Sequence, residues 1–215
     1  MKASIRTALA ATFASLASLA PAWAGGLDNL EQFVRTARSG RAEFTQVVTA
    51  PAREGQPARS KTSTGSFAFE RPGHFRFDYR KPFEQVLVAD GQTLWLYDVD
   101  LNQVTARKQA QVLGATPAAL ITNATNLQAL QADFTLKDAP DRDGLSWVNA
   151  VPKSRDSQLQ RVDIGFRGAE LAALDIVDSF GQRSVLSFSK VELNPALPAA
   201  TFHFKPPAGA DVVRQ

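Results

Sequence analysis

The 215-residue sequence contains no cysteine, two histidines and one methionine. Without cysteine there can be no disulfide, no thiolate nucleophile and no Cys-based metal centre, so stability has to come from packing. The two histidines, His74 and His203, fall on separate predicted strands, which leaves no set of imidazoles to share a metal. No G-x-S-x-G elbow and no Gly-rich phosphate loop follows any predicted strand. Long apolar runs are equally scarce. One stretch without charge, Ala8 to Ala24, follows Lys2 and Arg6 and ends on Ala22-Trp23-Ala24. That is the pattern of a secretory signal peptide with an A-x-A cleavage site, too short for a membrane span. Residues 1–24 are therefore expected to be a leader and 25–215 one exported domain. Its 191 residues carry 22 basic and 21 acidic side chains. A near-neutral exported chain is a poor candidate for binding nucleic acid.

Within 25–215 the first segment is amphipathic. Leu27, Leu30, Val34 and Ala37 recur at three- and four-residue spacing, which predicts a helix with Gly40 as its stop. An extended stretch, 41–49, and a Pro/Gly/Arg-rich loop, 51–61, follow. From Thr62 the period becomes two. Phe67 and Phe69 alternate with small or charged residues, and after Arg71-Pro72-Gly73 so do Phe75, Phe77 and Tyr79. This predicts half-buried antiparallel strands with an aromatic inner face. Asp90-Gly91, between Gln85–Val88 and Thr93–Tyr97, predicts a hairpin. One more strand is placed at 102–108.

Residues 109–130 are rich in Ala, Leu and Gln and predict two short helices, near 117–123 and 127–131. Thr116-Pro117 is placed as N-cap and first helical residue of the former. Strands resume at 134–137, 146–152, 160–167, 170–178 and 184–193, with a last extended piece at 201–205. The acid-rich run Asp138 to Gly144 lacks the ligand spacing of a calcium loop and is read as a solvated hairpin turn. The expectation is one mainly β domain of about eleven short strands and about three helices.

Convergent ionisable groups are missing, so a binding protein without enzymatic activity, metal or cofactor is expected. The aromatic run Phe67, Phe69, Phe75, Phe77, Tyr79 and Trp95 is either ordinary core or the lining of a ligand space. Arg71, between two aromatic strands and just before a proline, is either a solvated turn residue or a clasp. A guanidinium can hold carbonyls of an element crossing the mouth of the sheet.

Several segments together resemble the LolA family, the periplasmic carriers of outer-membrane lipoproteins. They are Phe44-Thr45-Gln46, Arg71-Pro72-Gly73-His74-Phe75-Arg76-Phe77, the run Leu87 to Tyr97 (LVADGQTLWLY), Thr116 to Ile121 (TPAALI) and Phe202 to Gly209 (FHFKPPAG). The resemblance implies a curved, incomplete antiparallel β-barrel under a lid of short helices, with lipoprotein acyl chains held between them. Arg71 matches the lid-holding arginine of that family and Phe75 the aromatic of the same motif. Phe67, Phe69, Phe77, Tyr79 and Trp95 are the expected cavity lining, with Leu30 and Val34 from the first helix and Leu120 and Ile121 from the lid. The implied partners are acylated lipoproteins, the ATP-driven inner-membrane LolCDE complex and the outer-membrane receptor LolB. The carrier itself is expected to be monomeric. Because it lacks a cysteine to lipidate, the chain does not match LolB itself. The alternative is a regulatory sensor domain of related fold that binds mislocalised lipoproteins and an anti-sigma partner. Such proteins carry a second domain, whereas this sequence stops at Gln215. A third class, an exported hydrolase, predicts turnover of generic ester or glycoside substrates.

Overall fold

Alternating side chains make the strands, and the order in which the strands pair makes the lid. The computed structural model describes residues 25–52, 55, 57–112, 121, 122, 124, 126–155 and 157–215. Helix α1 (Gly26–Thr36) leads into a meander of six strands: β1 (Ser39–Thr49), β2 (Ser60–Glu70), β3 (His74–Lys81), β4 (Gln85–Asp90), β5 (Thr93–Asp98) and β6 (Gln103–Lys108). Helices α2 (Gln109–Val112) and α3 (Leu127–Asp133) come next. A second meander follows: β7 (Phe134–Arg142), β8 (Leu145–Pro152), β9 (Leu159–Arg167), β10 (Glu170–Asp178) and β11 (Arg183–Leu193), with β12 (Asp211–Arg214) at the end. All twelve strands form one sheet in the order β12-β6-β5-β4-β3-β2-β1-β11-β10-β9-β8-β7. The two meanders are joined where β1 pairs with β11. Strands β6 and β7 therefore lie towards opposite edges of the sheet, and of the chain between them the described Ile121, Ala124 and Leu130 pack with α1 against the sheet as a lid.

Three sequence expectations are corrected. Helix α1 stops at Thr36, and Gly40 lies inside β1 beneath the ring of Phe69; a Cβ on Gly40 would stand 2.4 Å from Phe69 Cε1. Residues 201–205 do not form a strand. Ala199–Phe202 is a 3-10 turn, and the last strand is Asp211–Arg214, which pairs in parallel with β6. Pro206 and Pro207 cannot donate to a ladder, which delays pairing until the chain has passed them. The run Asp138 to Gly144 is mostly strand: β7 continues to Arg142 and the turn is Asp143-Gly144, both at positive φ. Of the helix expected at 117–123, Ile121 and Thr122 are described and helical; the N-cap at Thr116-Pro117 and the leader, 1–24, lie outside the described residues.

One buried cluster fills the space between sheet, α1 and lid, built around Leu30, Phe33, Val34, Phe44, Phe67, Phe69, Phe75, Phe77, Phe166 and Phe188. The N-terminus of α1 is held by the opposite end of the sheet. Asp138 Oδ1 accepts the Leu27 N–H at 2.8 Å, satisfying an orphan donor and placing an acid at the positive end of the helix dipole. Among the described residues, no helix is long and apolar enough to cross a membrane.

Candidate ligand cavity and its clasp

The inner face of β2 and β3 is an aromatic ladder because the register places like on like. Phe67 stands opposite Phe77 and Phe69 opposite Phe75, and the rings of Phe67 and Phe77 are 4.4 Å apart. Phe44 of β1 meets Phe77 and Tyr79 edge-on, at 5.4 and 5.0 Å. Gly65, opposite Phe44, makes room for that ring; a Cβ there would lie 2.8 Å from Phe44 Cε1 and 2.1 Å from the Asp78 carbonyl oxygen. From α1, Phe33 reaches across to Phe69 and Phe166, at 6.0 and 5.8 Å. Among the described residues, Phe33, Ala42, Phe67, Phe69, Leu171 and Phe188 bound a small apolar void of about 10 Å³, room for about one water.

Towards the end of the barrel away from the lid, the aromatic face gives way to polar side chains. Gln46, Ser63, Gln85, Asp98 and Gln182 surround an open basin of about 730 Å³ that reaches Tyr79. Phe83 sits on its rim, exposed, with the Lys61 ammonium 4.6 Å from the ring centre. Burial pushes the Tyr79 phenol up to about 12, so it stays protonated.

At the lid end stands Arg71. Its Nη1 donates to the Val34 carbonyl oxygen at 2.5 Å and its Nε to that of Ile121 at 2.9 Å. Val34 is in the last turn of α1, where carbonyls lack helical partners and a positive charge is favourable. Two backbone bonds reinforce the same junction: Arg71 N–H to Arg38 O at 2.8 Å, and Gly73 N–H to Thr122 O at 3.1 Å. The buried Gln109 side chain ties the turn to its neighbour, donating to Gly73 O and accepting from Gly91 N–H. The guanidinium lies over the rings of Phe33 and Phe69, at 5.1 and 6.0 Å, an attraction that offsets part of its desolvation. Burial, with Arg38 nearby, lowers its pKa to about 10, so it remains charged at neutral pH.

Of the residues expected at the site, Leu30, Val34, Phe67, Phe69, Phe75, Phe77 and Ile121 share the one buried cluster, with Tyr79 packed against it. Leu120 lies outside the described residues. Trp95 is corrected: it faces away from the interior. Its indole Nε1 donates to Asp90 Oδ2 at 2.7 Å and its ring packs on Phe204. Leu94 and Leu87 take the inward positions. Phe33, Phe166 and Phe188 were not singled out by sequence, and Phe44 was named only as part of a motif, not as lining. Phe33 falls on the Leu30–Val34 stripe and could have been; Phe166 and Phe188 join only through pairing of the second meander. Among the described residues no group of three or more His, Asp or Glu stands close enough to share a metal.

The fold resembles that of an uncharacterised conserved protein from Thermus thermophilus, with a TM-score of 0.52 and 15% identity over 88% of this chain and 96% of that one. The sequence relations are much closer. An outer-membrane lipoprotein carrier protein of Albidiferax ferrireducens is 70% identical over 198 residues, covering 90% of this chain and 93% of its own. That of Leptothrix cholodnii is 50% identical, with both chains covered in full. The family model for the outer membrane lipoprotein carrier protein LolA matches residues 35–205, taking in β1 through the aromatic ladder, the Arg71 turn and the lid to the Phe202–Lys205 segment. The chain belongs to the LolA family of outer-membrane lipoprotein carrier proteins.

Proposed function

We propose that this protein receives acylated lipoproteins leaving the inner membrane and carries them across the periplasm to an outer-membrane receptor, their acyl chains taking the place of the closed aromatic interior. The observation that carries the reading is the Arg71 clasp. One side chain ties the sheet rim to the carbonyls of two lid elements, α1 and the helix at Ile121, above an apolar aromatic interior. Opening that clasp frees aromatic surface; closing it expels whatever covers that surface.

The energetics fit such a cycle. A buried methylene is worth about 0.8 kcal/mol, so a chain of about 15 methylenes costs on the order of 12 kcal/mol to leave in water. Crossing an aqueous compartment therefore needs a cover. Delivery needs the ligand to be held less firmly than the acceptor holds it, and reclosure of an empty lid competes with ligand by its differential stability. No covalent step is involved, so energy for loading comes from the donor. We assign LolCDE as donor and LolB as acceptor on the strength of the family, residues 1–24 as the cleaved leader that exports the chain, and a monomer as the working form. The near full-length match to carriers favours this reading over the regulatory one.

The test is release. Protein beginning at Gly25, added to spheroplasts, should release outer-membrane lipoproteins as soluble one-to-one complexes, and buffer alone should not. Lipoproteins that stay in the membrane under both conditions would overturn the reading. N-terminal sequencing of exported protein should find Gly25 first; retention of the leader would refute the export assignment.

A further inference from the structure

We propose that Arg71 is also a ligand-binding residue, whose buried Nη2 donates a hydrogen bond to the acyl carbonyl of the bound lipid. The proposal rests on the carrier reading and adds to it a chemical specificity: long-chain esters and amides over the corresponding ethers.

Nε and Nη1 of the guanidinium are occupied by the Ile121 and Val34 carbonyls. Nη2 is shielded from solvent and has no acceptor, and it alone is so left among the side-chain nitrogens and oxygens of the described residues. Buried donors without acceptors are rare, because removal from water is not compensated. Among the described residues the surroundings supply no partner: the guanidinium lies over Phe33 and Phe69, and those two rings line the interior void with Phe67, Leu171 and Phe188.

A plain hydrocarbon would leave this donor as orphaned as before. An acyl chain differs from a hydrocarbon in starting at a carbonyl, an acceptor without a donor, which incurs its own penalty when drawn out of water. The two deficits cancel when they meet. Loading then gives Nη2 the acceptor that it lacks in the empty protein, and reclosure takes that acceptor away.

The experiment compares two lipids of equal chain length, dioctanoylglycerol and its dioctyl ether, as displacers of N-phenylnaphthylamine from the full mature protein. Wild type should prefer the ester by about ten-fold more than Arg71→Leu does, the size expected from one hydrogen bond to a charged donor. A carbonyl-labelled ester bound to wild type should show its infrared stretch moved to lower frequency than in hydrocarbon solvent, a reading that needs no variant. Displacement by both lipids with the same ratio in wild type and Arg71→Leu, or an unshifted carbonyl band, overturns the role of Arg71 while leaving the carrier reading intact. Displacement by neither lipid overturns both.

Discussion

Arg71 and Val34 are 37 residues apart in the chain, yet Nη1 of one donates to the carbonyl oxygen of the other at 2.5 Å. The bond joins the turn between two aromatic strands to the last turn of the helix that covers them. With the Nε bond to Ile121, it makes one side chain answerable for two edges of the lid.

Arg71→Leu should therefore separate loading from handover. An exposed turn residue would shift stability by no more than about 0.5 kcal/mol. Loss of charge-assisted bonds worth about 1.5–3 kcal/mol each should instead lower the unfolding free energy of the empty protein by at least that much in urea titration. The liganded open form, whose two clasp bonds are already released, loses at most the single bond to the ligand carbonyl proposed above and keeps its apolar contacts. Cargo should still be taken up from donor membranes and should fail to pass to receptor-bearing membranes. A variant that loads and delivers like wild type would remove the clasp from the mechanism.

Phe75 and Trp95 should behave oppositely although both belong to the recognised motifs. Phe75 is 1% exposed within the aromatic cluster, and Phe75→Ala should cost about 3–5 kcal/mol and weaken probe binding. Trp95→Phe loses only the bond to Asp90, about 1 kcal/mol, and should leave binding unchanged. Trp147, whose neighbour Val148 faces inward, lies on the same outer side, stacked under Arg142 at 3.7 Å. With Trp23 in the leader, tryptophan emission of the mature protein should not respond when ligand enters. Emission that shifts on ligand binding would contradict the outward placement.

Gly65→Ala should be costly for its size. The new methyl would meet the Asp78 carbonyl oxygen at 2.1 Å, and backbone cannot swing aside as a side chain can. Overpacking of this kind costs about 1–3 kcal/mol, read as a lower urea midpoint. Wild-type stability in the variant would show that β2 and β3 can part locally without cost.

Asp175 links stability to acid. It is 3% exposed and opposite the equally buried Asp163 on β9. Burial alone would raise its pKa, but the bidentate bond from Arg183 and the charges of Arg183, Arg161 and Arg142 outweigh it, and the net shift is downward. A carboxyl whose folded pKa is depressed contributes stability above its unfolded pKa of about 3.9, and that contribution is lost as pH falls through the lower folded value. Asp175→Asn should lower stability at pH 7 and flatten the loss of stability below about pH 4. Parallel wild-type and variant curves through that range would refute the linkage.

Much of this protein is written locally. The stripe of Leu30, Val34 and Ala37, the alternation of Phe67, Phe69, Phe75 and Phe77, and the Asp90-Gly91 hairpin each report a period of 3.6 or 2 over a few residues, and that period sets which side is buried. The Arg71-Pro72-Gly73 break was legible in the same way, and so was the choice it posed between solvated turn and clasp. The choice itself needed the carbonyls of Val34 and Ile121. Trp95 was expected inside by resemblance, but Leu94 and Leu96 make both faces of β5 apolar, and the inward packing of Leu94 with the contact of Trp95 on Phe204 shows which side faces out. Nothing in the sequence marks Asp163 and Asp175 as buried. Their burial comes from β8 to β11 lying side by side, with three arginines gathered over them. Asp138 looked like part of a turn and is the acceptor at the start of a helix 111 residues earlier. Periodicity is a property of neighbours along the chain. Partners for a guanidinium, a buried carboxylate or a helix end are found across the sheet, and only strand order and register bring them within reach.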